Sequence, residues 1–243
     1  MSFKKAAVLL CALCAAGASL TCAQARELLR VGTEPTFAPF EFLDTKTKEF
    51  SGFDIDLIRA VADKAGYDVK ILNMGFDALL PAIMTGTIDV VASGMSITPE
   101  REESMAMTFP YLNNQIVCYV KADSDITSLA DLAGKSVAVQ NGSYAEELLL
   151  SDAYADAKAS FADMPGFEDY LTALMDLQQG GVDAVIMDLV VGDYRINSMG
   201  AENLKAAFPL EDDNYGIGFR KDDLALRDKV QDILKEMKAD GSL

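Results

Sequence analysis

Short apolar runs alternate with amphipathic segments along most of this chain. Residues 54–65 place apolar side chains at helical spacing and are followed by Gly66, a usual helix stop. Residues 88–92 form an apolar run with the length of a buried strand. Because strands that alternate with helices pair mostly in parallel, the chain is predicted to be an α/β protein. Further strands are predicted over 28–32, 69–72, 116–121, 136–140, 182–187 and 215–219, and further helices over 78–84, 145–150, 167–179 and 224–239.

The two halves of the chain repeat one pattern. A helix rich in Leu, Ala, Ile and Met is followed by GTIDVV at 86–91 in the first half and by GGVDAV at 180–185 in the second. Chance similarity between two helix–strand units is one explanation. The other is a pair of like lobes whose strand ends face a common cleft.

The segment 93–101, SGMSITPER, has the features of a ligand site. It follows the predicted strand 88–92, and open α/β sheets bind ligands beyond the carboxyl ends of their strands. Thr98 can cap a helix that begins at Pro99. The guanidinium of Arg101 offers five N–H donors in a geometry that holds a carboxylate by two parallel hydrogen bonds. The alternative interpretation of an arginine near a strand end is a surface ion pair.

The first 25 residues have the composition of a secretory signal peptide. Lys4 and Lys5 precede an apolar segment that runs to about Leu20, and an Ala-x-Ala sequence ends at Ala25. We therefore predict cleavage after Ala25 and a periplasmic or other extracytoplasmic location. Lipid attachment at Cys22 is a less favoured alternative.

Composition excludes several classes of function. Once the leader is removed, Cys118 is the one cysteine left, and it is predicted to be a small buried hydrophobe. The chain contains no histidine, so Ser-His and Cys-His nucleophiles and histidine metal sites are excluded. The net charge of −17, about −19 without the leader, argues against nucleic acid and anionic membranes as partners. Beyond the leader, no apolar run approaches the roughly 18 residues of a membrane span.

Six motifs occur in order along the chain, at 31–42, 52–57, 93–101, 134–143, 183–188 and 215–219. With them, the chain from about 28 to 243 resembles the periplasmic solute-binding proteins of polar amino-acid ABC importers (family 3, glutamine-, arginine- or histidine-binding type). The resemblance implies a two-lobed periplasmic-binding-protein fold of type II, with two mostly parallel sheets joined by two crossover hinge strands. The implied divisions are 26–112 with 215–243 for lobe 1, and 113–214 for lobe 2.

The resemblance also implies how an amino acid is held. Arg101 matches the position that binds the α-carboxylate, and backbone N–H groups near Ser96 and Ser143 would add donors. Asp188 matches the residue that takes the α-ammonium, although its position also suits a helix N-cap. The full set of implied ligand-binding residues is Glu34, Phe37, Phe76, Ser93, Gly94, Ser96, Arg101, Gln140, Ser143, Asp188 and Tyr215.

The aromatic members of this set have an ordinary alternative role. Phe37 and Phe76 match rings that enclose the aliphatic stem of the ligand, but an isolated phenylalanine is more often part of a core. Tyr215 lies at the implied second crossover, where a structural role is equally natural.

Specificity is expected to depend on Glu34, Gln140 and Met187. A carboxylate at Glu34 favours a ligand with N–H donors at its distal end and disfavours glutamate and aspartate. The glutamine-binding member of the family has Lys where this chain has Gln140 and His where it has Met187. These features favour glutamine or arginine and do not separate them.

The function implied by the resemblance is capture of a polar L-amino acid by lobe closure and delivery to the membrane permease of an ABC importer. We expect a monomer with no cofactor, no metal and no catalytic residues. One alternative is a cyclohexadienyl or arogenate dehydratase, an enzyme on the same fold that needs a proton donor, for which Glu34 would require a raised pKa. Another is a ligand-binding sensor module, which would need a membrane tether.

Overall fold

The computed structural model describes residues 26–243, so the predicted signal peptide, its cleavage site and Cys22 lie outside the described residues. Strands and helices alternate along this part of the chain. The strands are β1 Glu27–Thr33, β2 Thr36–Phe37, β3 Glu41–Leu43, β4 Phe50–Ser51, β5 Tyr67–Asn73, β6 Val90–Val91, β7 Met105–Met107, β8 Leu112–Lys121, β9 Val137–Gln140, β10 Gly166–Phe167, β11 Ala184–Asp188, β12 Leu204–Tyr215 and β13 Gly218–Arg220. The α-helices are α1 Phe53–Ala65, α2 Phe76–Met84, α3 Pro99–Ser104, α4 Tyr144–Leu150, α5 Ala155–Ser160, α6 Tyr170–Gln179, α7 Leu189–Met199 and α8 Leu224–Asp240.

Two five-stranded sheets form the centres of two lobes. The first sheet has the strand order β5-β1-β6-β13-β7 and the second has the order β10-β9-β11-β8-β12. We call the first sheet, α1–α3, α8 and the small β2-β3-β4 sheet the first lobe, and the second sheet with α4–α7 the second lobe. The prediction of a two-lobed α/β fold is confirmed.

Each sheet is mixed, which differs from the expectation of mostly parallel sheets. In the first sheet β5, β1 and β6 are parallel, whereas β13 is antiparallel to both of its neighbours. In the second sheet β10, β9 and β11 are parallel, whereas β8 is antiparallel to β11 and β12. The second sheet is mixed because the chain enters this lobe along β8 and leaves it along β12, in the opposite direction.

The two crossover strands lie side by side. Leu112 pairs with Tyr215, and the antiparallel pairing extends, with two shifts of register, to Lys121 opposite Leu204. After β12 the chain returns to the first lobe, where β13 joins the first sheet and α8 packs against α1. The chain therefore passes between the two sheets at the paired ends of β8 and β12.

Local sequence explains where the helices begin. The side chain of Thr98 accepts a hydrogen bond from the Arg101 N–H at 3.2 Å, and Pro99 is the first residue of α3, as predicted. The helix predicted over 167–179 begins later, at Tyr170, because the Asp169 carboxylate caps it by accepting from the N–H of Thr172 at 2.7 Å.

The pairing of strands changes the bounds of two predicted elements. Phe167 is not helical; it pairs with Gln140 in the second sheet. The strand predicted over 215–219 is divided between the end of β12 and the start of β13, because the chain passes there from one lobe to the other.

Apolar side chains fill the space between each sheet and its helices. In the first lobe one cluster joins β1 and β6 to α1 and α8, and a second lies beneath α2. In the second lobe Cys118 is fully buried with a free thiol, as predicted, and burial raises its pKa to about 12. Within residues 26–243, no helix is both long and apolar enough to cross a membrane.

Candidate functional site

Four strand ends converge on the cleft between the lobes. Glu34 directly follows β1, and the segment containing Arg101 follows β6. Gln140 and Asp188 are the last residues of β9 and β11. This is the edge at which an open α/β sheet binds ligands. The structure brings all eleven of the predicted site residues to this region, and all are buried: Glu34, Phe37, Phe76, Ser93, Gly94, Ser96, Arg101, Gln140, Ser143, Asp188 and Tyr215.

Arg101 lies between the lobes with its side chain 3% exposed. It donates to the carbonyl oxygen of Ser96 in its own lobe at 3.2 Å and to that of Gly142 in the second lobe at 3.0 Å. Its Nε also donates to Oε1 of Glu147 in the second lobe at 3.0 Å. The guanidinium carbon is 5.6 Å from the centre of the Phe76 ring, within cation–π range. Arg101 is therefore a buried cation that links the lobes, not the surface ion pair of the alternative interpretation.

Asp188 is held by the crossover strands. Its Oδ1 accepts from the Asn114 amide at 2.8 Å and from the hydroxyl of Tyr215. Asp188 occupies the N-cap position of α7, but its side chain makes no capping hydrogen bond. Burial raises the pKa of Asp188 to about 7, and the nearby Asp213 carboxylate acts in the same direction. A buried carboxylate of this kind is stabilised by a cation.

Asp213 is a second acidic group at this end of the cleft, and it was not predicted. It lies on β12, its side chain accepts from the Ser96 hydroxyl at 3.0 Å, and burial raises its pKa. With the proton of Ser96 directed to Asp213, the lone pairs of that hydroxyl are free to accept from a ligand ammonium. Asp213 and Ser96 come together because β12 runs beside the loop that follows β6.

Phe37 packs against a glycine at the base of the cleft. Gly94 has φ of +49°, and a Cβ built there would be 2.4 Å from Cε1 of Phe37. The position therefore needs glycine for both its backbone conformation and its space. The Phe37 ring also lies 6.1 Å from Tyr170 in the second lobe and 6.3 Å from Tyr215, measured between centroids. Phe37 thus lies against residues of both lobes. A residue that belonged only to the core of the first lobe would not contact the second lobe.

Ser93 and Gly94 form hydrogen bonds with buried acidic side chains of the first lobe. The Ser93 hydroxyl donates to Glu41 at 2.9 Å and accepts from the N–H of Glu34 at 2.9 Å. The N–H of Gly94 donates to Asp54 at 2.7 Å. Burial raises the pKa of Asp54 to about 6 and that of Glu41 well above its usual range. The Ser93 side chain therefore fixes the loop after β6 in shape, a role that the sequence did not predict.

Glu34 lies at the opposite end of the cleft, beside a cavity. Its Oε1 accepts from the N–H of Thr36 at 3.1 Å, whereas its buried Oε2 has no hydrogen-bond partner. Burial raises the pKa of Glu34 and the negative charge of Asp169 raises it further. The cavity has a volume of about 400 Å³ and none of its lining residues is basic: Glu34, Thr36, Asn73, Met74, Gly75, Asp77, Asn141, Glu168 and Asp169.

Three further residues from the sequence analysis, Gln140, Ser143 and Met187, have different surroundings. Gln140 donates from its amide to the carbonyl oxygen of Glu168 at 3.0 Å, at the rim of this cavity. Ser143 caps α4 by accepting from the N–H of Glu146. Met187, expected to affect specificity, is fully buried in the apolar cluster that also contains Phe37 and Tyr215.

The lobes are in contact around the cleft. Gly142 of the second lobe lies against Asp77 of the first, so closely that a Cβ built on Gly142 would be 2.9 Å from the Asp77 Cα. Arg195, on α7, donates to the carbonyl oxygen of Thr36 in the first lobe. Together with Arg101, these contacts describe a closed arrangement. Arg195 was not predicted, because nothing near it in sequence marks a contact with the other lobe.

No cluster of three or more His, Cys, Asp or Glu side chains in residues 26–243 has the geometry to hold a metal ion. The site is instead a set of paired and unpaired charges in a closed cleft. Its arrangement suits a small ligand that carries one carboxylate and one or more cationic groups.

Comparisons with known proteins identify the family. A family model described as bacterial extracellular solute-binding proteins, family 3, matches residues 29–243. ABC transporter arginine-binding protein 1 of Escherichia coli (strain K12) is 33% identical over 224 residues, which cover 90% of this chain and 89% of that protein.

Two solved structures are similar over nearly the whole chain. An ancestral arginine-binding protein bound to arginine has a TM-score of 0.82 at 39% identity and covers 89% of this chain and 94% of its own. The ancestral amino-acid-binding protein AncCDT-1, a precursor of cyclohexadienyl dehydratase, has a TM-score of 0.78 at 32% identity, covering 88% and 91%. By sequence and by fold, this chain belongs to family 3 of the bacterial extracellular solute-binding proteins.

Proposed function

We propose that this protein binds L-arginine outside the cytoplasm and delivers it to the membrane permease of an ABC importer. The cavity beside Glu34 is the observation that favours arginine over glutamine as the ligand. Four carboxylates, those of Glu34, Asp77, Glu168 and Asp169, line it without a basic partner among the lining residues. A guanidinium offers five N–H donors and a delocalised positive charge, which match several carboxylates at once. Glutamine would bring a neutral amide with two donors to the same place.

The other end of the cleft fits the backbone of an amino acid. Arg101 is the binding group proposed for the α-carboxylate, and Asp188 is the group proposed for the α-ammonium. The Ser96 hydroxyl, oriented by Asp213, and the carbonyl oxygen of Gly94 complete the ammonium site. Phe37 and Phe76 would enclose the aliphatic stem between these groups and Glu34.

Capture is proposed to occur by closure of two lobes. We assign 26–112 with 215–243 to one lobe and 113–214 to the other; the two sheets support this division except at Leu112 and Tyr215, which pair with each other in the second sheet. Groups from both sides of the cleft would contact the ligand, so a bound amino acid stabilises the closed form relative to the open one. The permease would then receive the closed protein. We expect the binding protein to act as a monomer and to be exported by a cleaved signal peptide.

Binding without catalysis is the better supported function. The Escherichia coli relative is an arginine-binding protein, and the similar ancestral protein was solved with arginine bound. The dehydratase alternative requires a carboxyl group with a raised pKa, and burial does raise the pKa of Glu34. The dehydratase alternative is tested by incubating the purified protein with arogenate. We expect no turnover.

Thermal melting of the leader-free protein against each of the twenty L-amino acids tests the proposed function. The protein is first unfolded and refolded to remove any ligand carried through purification. Because a ligand that binds the native state raises the melting temperature, arginine should give the largest shift. A largest shift with glutamine would change the assigned ligand, and no shift with any amino acid would contradict the function.

A further inference from the structure

Four of the five N–H donors of the Arg101 guanidinium already contact protein oxygens. Nε and one terminal nitrogen of the guanidinium contact Oε1 of Glu147, at 3.0 and 2.9 Å. The same terminal nitrogen donates to the Gly142 carbonyl at 3.0 Å, and the other donates to the Ser96 carbonyl at 3.2 Å. Both edges on which a carboxylate could form two parallel hydrogen bonds are therefore in use. An incoming α-carboxylate cannot form a two-bond contact without removing one of these partners.

Glu147 is the partner whose removal is easiest. The Glu147 side chain is 33% exposed, whereas the Arg101 side chain is 3% exposed. Besides Arg101, Glu147 accepts a long hydrogen bond from the Thr98 hydroxyl, at 3.5 Å. The carbonyl groups of Ser96 and Gly142 belong to the backbone and are fixed by the loops that carry them. A glutamate side chain, in contrast, can rotate toward solvent.

We propose that Glu147 is a built-in substitute for the ligand carboxylate, which the α-carboxylate of the incoming amino acid must displace from Arg101. Glu147 thereby lowers the affinity for amino acids and links the lobes before a ligand arrives. This inference rests on the proposed function, because it assumes a ligand that carries a carboxylate.

The charges in the cleft explain why Glu147 and a ligand carboxylate exclude one another. Arg101 is the one cation that contacts this end of the cleft in residues 26–243, and Asp188 and Asp213 lie close enough to interact with it. Glu147 and a ligand carboxylate together would place two carboxylates on one guanidinium, in a buried site that already contains the carboxyl groups of Asp188 and Asp213. Exchange of one carboxylate for another keeps the charge balance unchanged, and it moves Glu147 to water.

The test compares the wild type with Glu147→Gln by calorimetric titration with L-arginine and with agmatine. Agmatine keeps the amine and the guanidinium of arginine and lacks only the carboxylate. Removal of a charged hydrogen-bond partner changes an interaction by about 1.5–3 kcal/mol, so Glu147→Gln should bind arginine about tenfold more tightly. Agmatine should be bound no more tightly by the variant than by the wild type, because it does not compete for Arg101.

Glu100→Gln is the matched control. Glu100 is exposed, lies next to the same ion pair and carries the same charge as Glu147. Its replacement should change arginine affinity less than twofold, and melting of the ligand-free variants confirms that each is folded.

The outcomes separate the two proposals. An unchanged or weaker arginine affinity in Glu147→Gln, with arginine still bound by the wild type, would overturn the role of Glu147 alone. An equal gain for agmatine would also overturn it, since a general change in charge or opening would then be the cause. Failure of the wild type to bind any amino acid would instead contradict the proposed function.

Discussion

The two ends of the cleft differ in how their charges are balanced. At the Arg101 end, a buried guanidinium has protein partners on both edges, including the Glu147 carboxylate. At the Glu34 end, four carboxylates line a cavity with no basic residue among its lining. Oε2 of Glu34 is buried there without a hydrogen-bond partner. The cation at the first end already has a carboxylate partner, whereas the carboxylates at the second end have no basic residue in the cavity lining.

The two ends of the cleft are therefore expected to contribute to binding in different ways. A ligand carboxylate gains little net energy at the Arg101 end, because it replaces an existing ion pair with a similar one. A ligand cation at the Glu34 end relieves repulsion among carboxylates and satisfies a buried oxygen. Selectivity among amino acids is thus expected to come from the Glu34 end, while the Arg101 end requires only that the ligand be an amino acid.

Arg101→Ala should have the largest effect on binding. It removes the cation on which either carboxylate depends and leaves Glu147 and the ligand carboxylate without a partner. Loss of one member of a buried ion pair costs about 3–5 kcal/mol, which corresponds to a weakening of arginine binding by more than a hundredfold. Calorimetry measures it, with the exposed Arg59→Ala as the charge-matched control. Retained affinity would show that Arg101 does not hold the ligand carboxylate.

Asp188→Asn should weaken arginine binding by about thirtyfold at pH 8, where the carboxylate is ionised, because a charged acceptor for the ammonium becomes neutral. The substitution keeps the size of the side chain and its capacity to accept from Asn114. Asp156→Asn, at an exposed position on α5, should leave affinity unchanged. Unaltered binding in Asp188→Asn would return this residue to a structural role at the start of α7.

Glu34→Gln should weaken arginine binding about tenfold, since three other carboxylates still line the cavity. Glutamine binding, measured in the same calorimeter, should change much less, because a neutral amide gains little from the lost charge. Glu27→Gln, exposed at the start of β1, the strand that precedes Glu34, is the control. Equal losses for both ligands would indicate that Glu34 lies outside the side-chain pocket.

Arginine affinity should fall about fourfold between pH 8 and pH 6.5, as Asp188 takes up a proton near its raised pKa of about 7. The stability of the ligand-free protein should change in the opposite direction. A carboxyl group whose pKa is raised by folding contributes stability below its unfolded pKa, and this is lost as pH rises through the folded pKa. Asp54, with its pKa raised to about 6, acts likewise.

Melting scans at pH 5.5 and pH 8, with and without arginine, check both directions. The ligand-free melting temperature should be higher at pH 5.5, and the shift caused by arginine should be larger at pH 8. A shift that is equal at the two values would mean that the titration of Asp188 is not linked to binding.

Local signals in the sequence were sufficient for much of the fold. Thr98 and Pro99 predicted the start of α3, and the strand run before Ser93 predicted the loop that carries Arg101. The start of α6 was predicted too early, because the capping role of Asp169 depends on side-chain geometry that periodicity does not describe. The resemblance to a family supplied the lobes and hinges, which no local pattern contains.

The contacts between lobes could not be predicted from the sequence. Glu147 and Arg101 are 46 residues apart, and they meet only because α4 and α3 face each other across the closed cleft. Ser96 and Asp213, which are 117 residues apart, depend in the same way on the position of the second crossover strand. Asp188 illustrates the limit most clearly: its position suits a helix cap, and only the structure shows that its carboxylate instead accepts from Asn114 and Tyr215.

Calorimetric titration of the refolded protein with L-arginine and L-citrulline shows whether the cleft selects a ligand by the charge of its side chain. The two ligands have the same backbone and nearly the same shape, but citrulline has a neutral urea group in place of the guanidinium. Because four carboxylates line the cavity beside Glu34 and none of its lining residues is basic, arginine should bind at least about tenfold more tightly. Equal affinities, or tighter binding of citrulline, would contradict the conclusion that the acidic end of the cleft selects a cationic ligand.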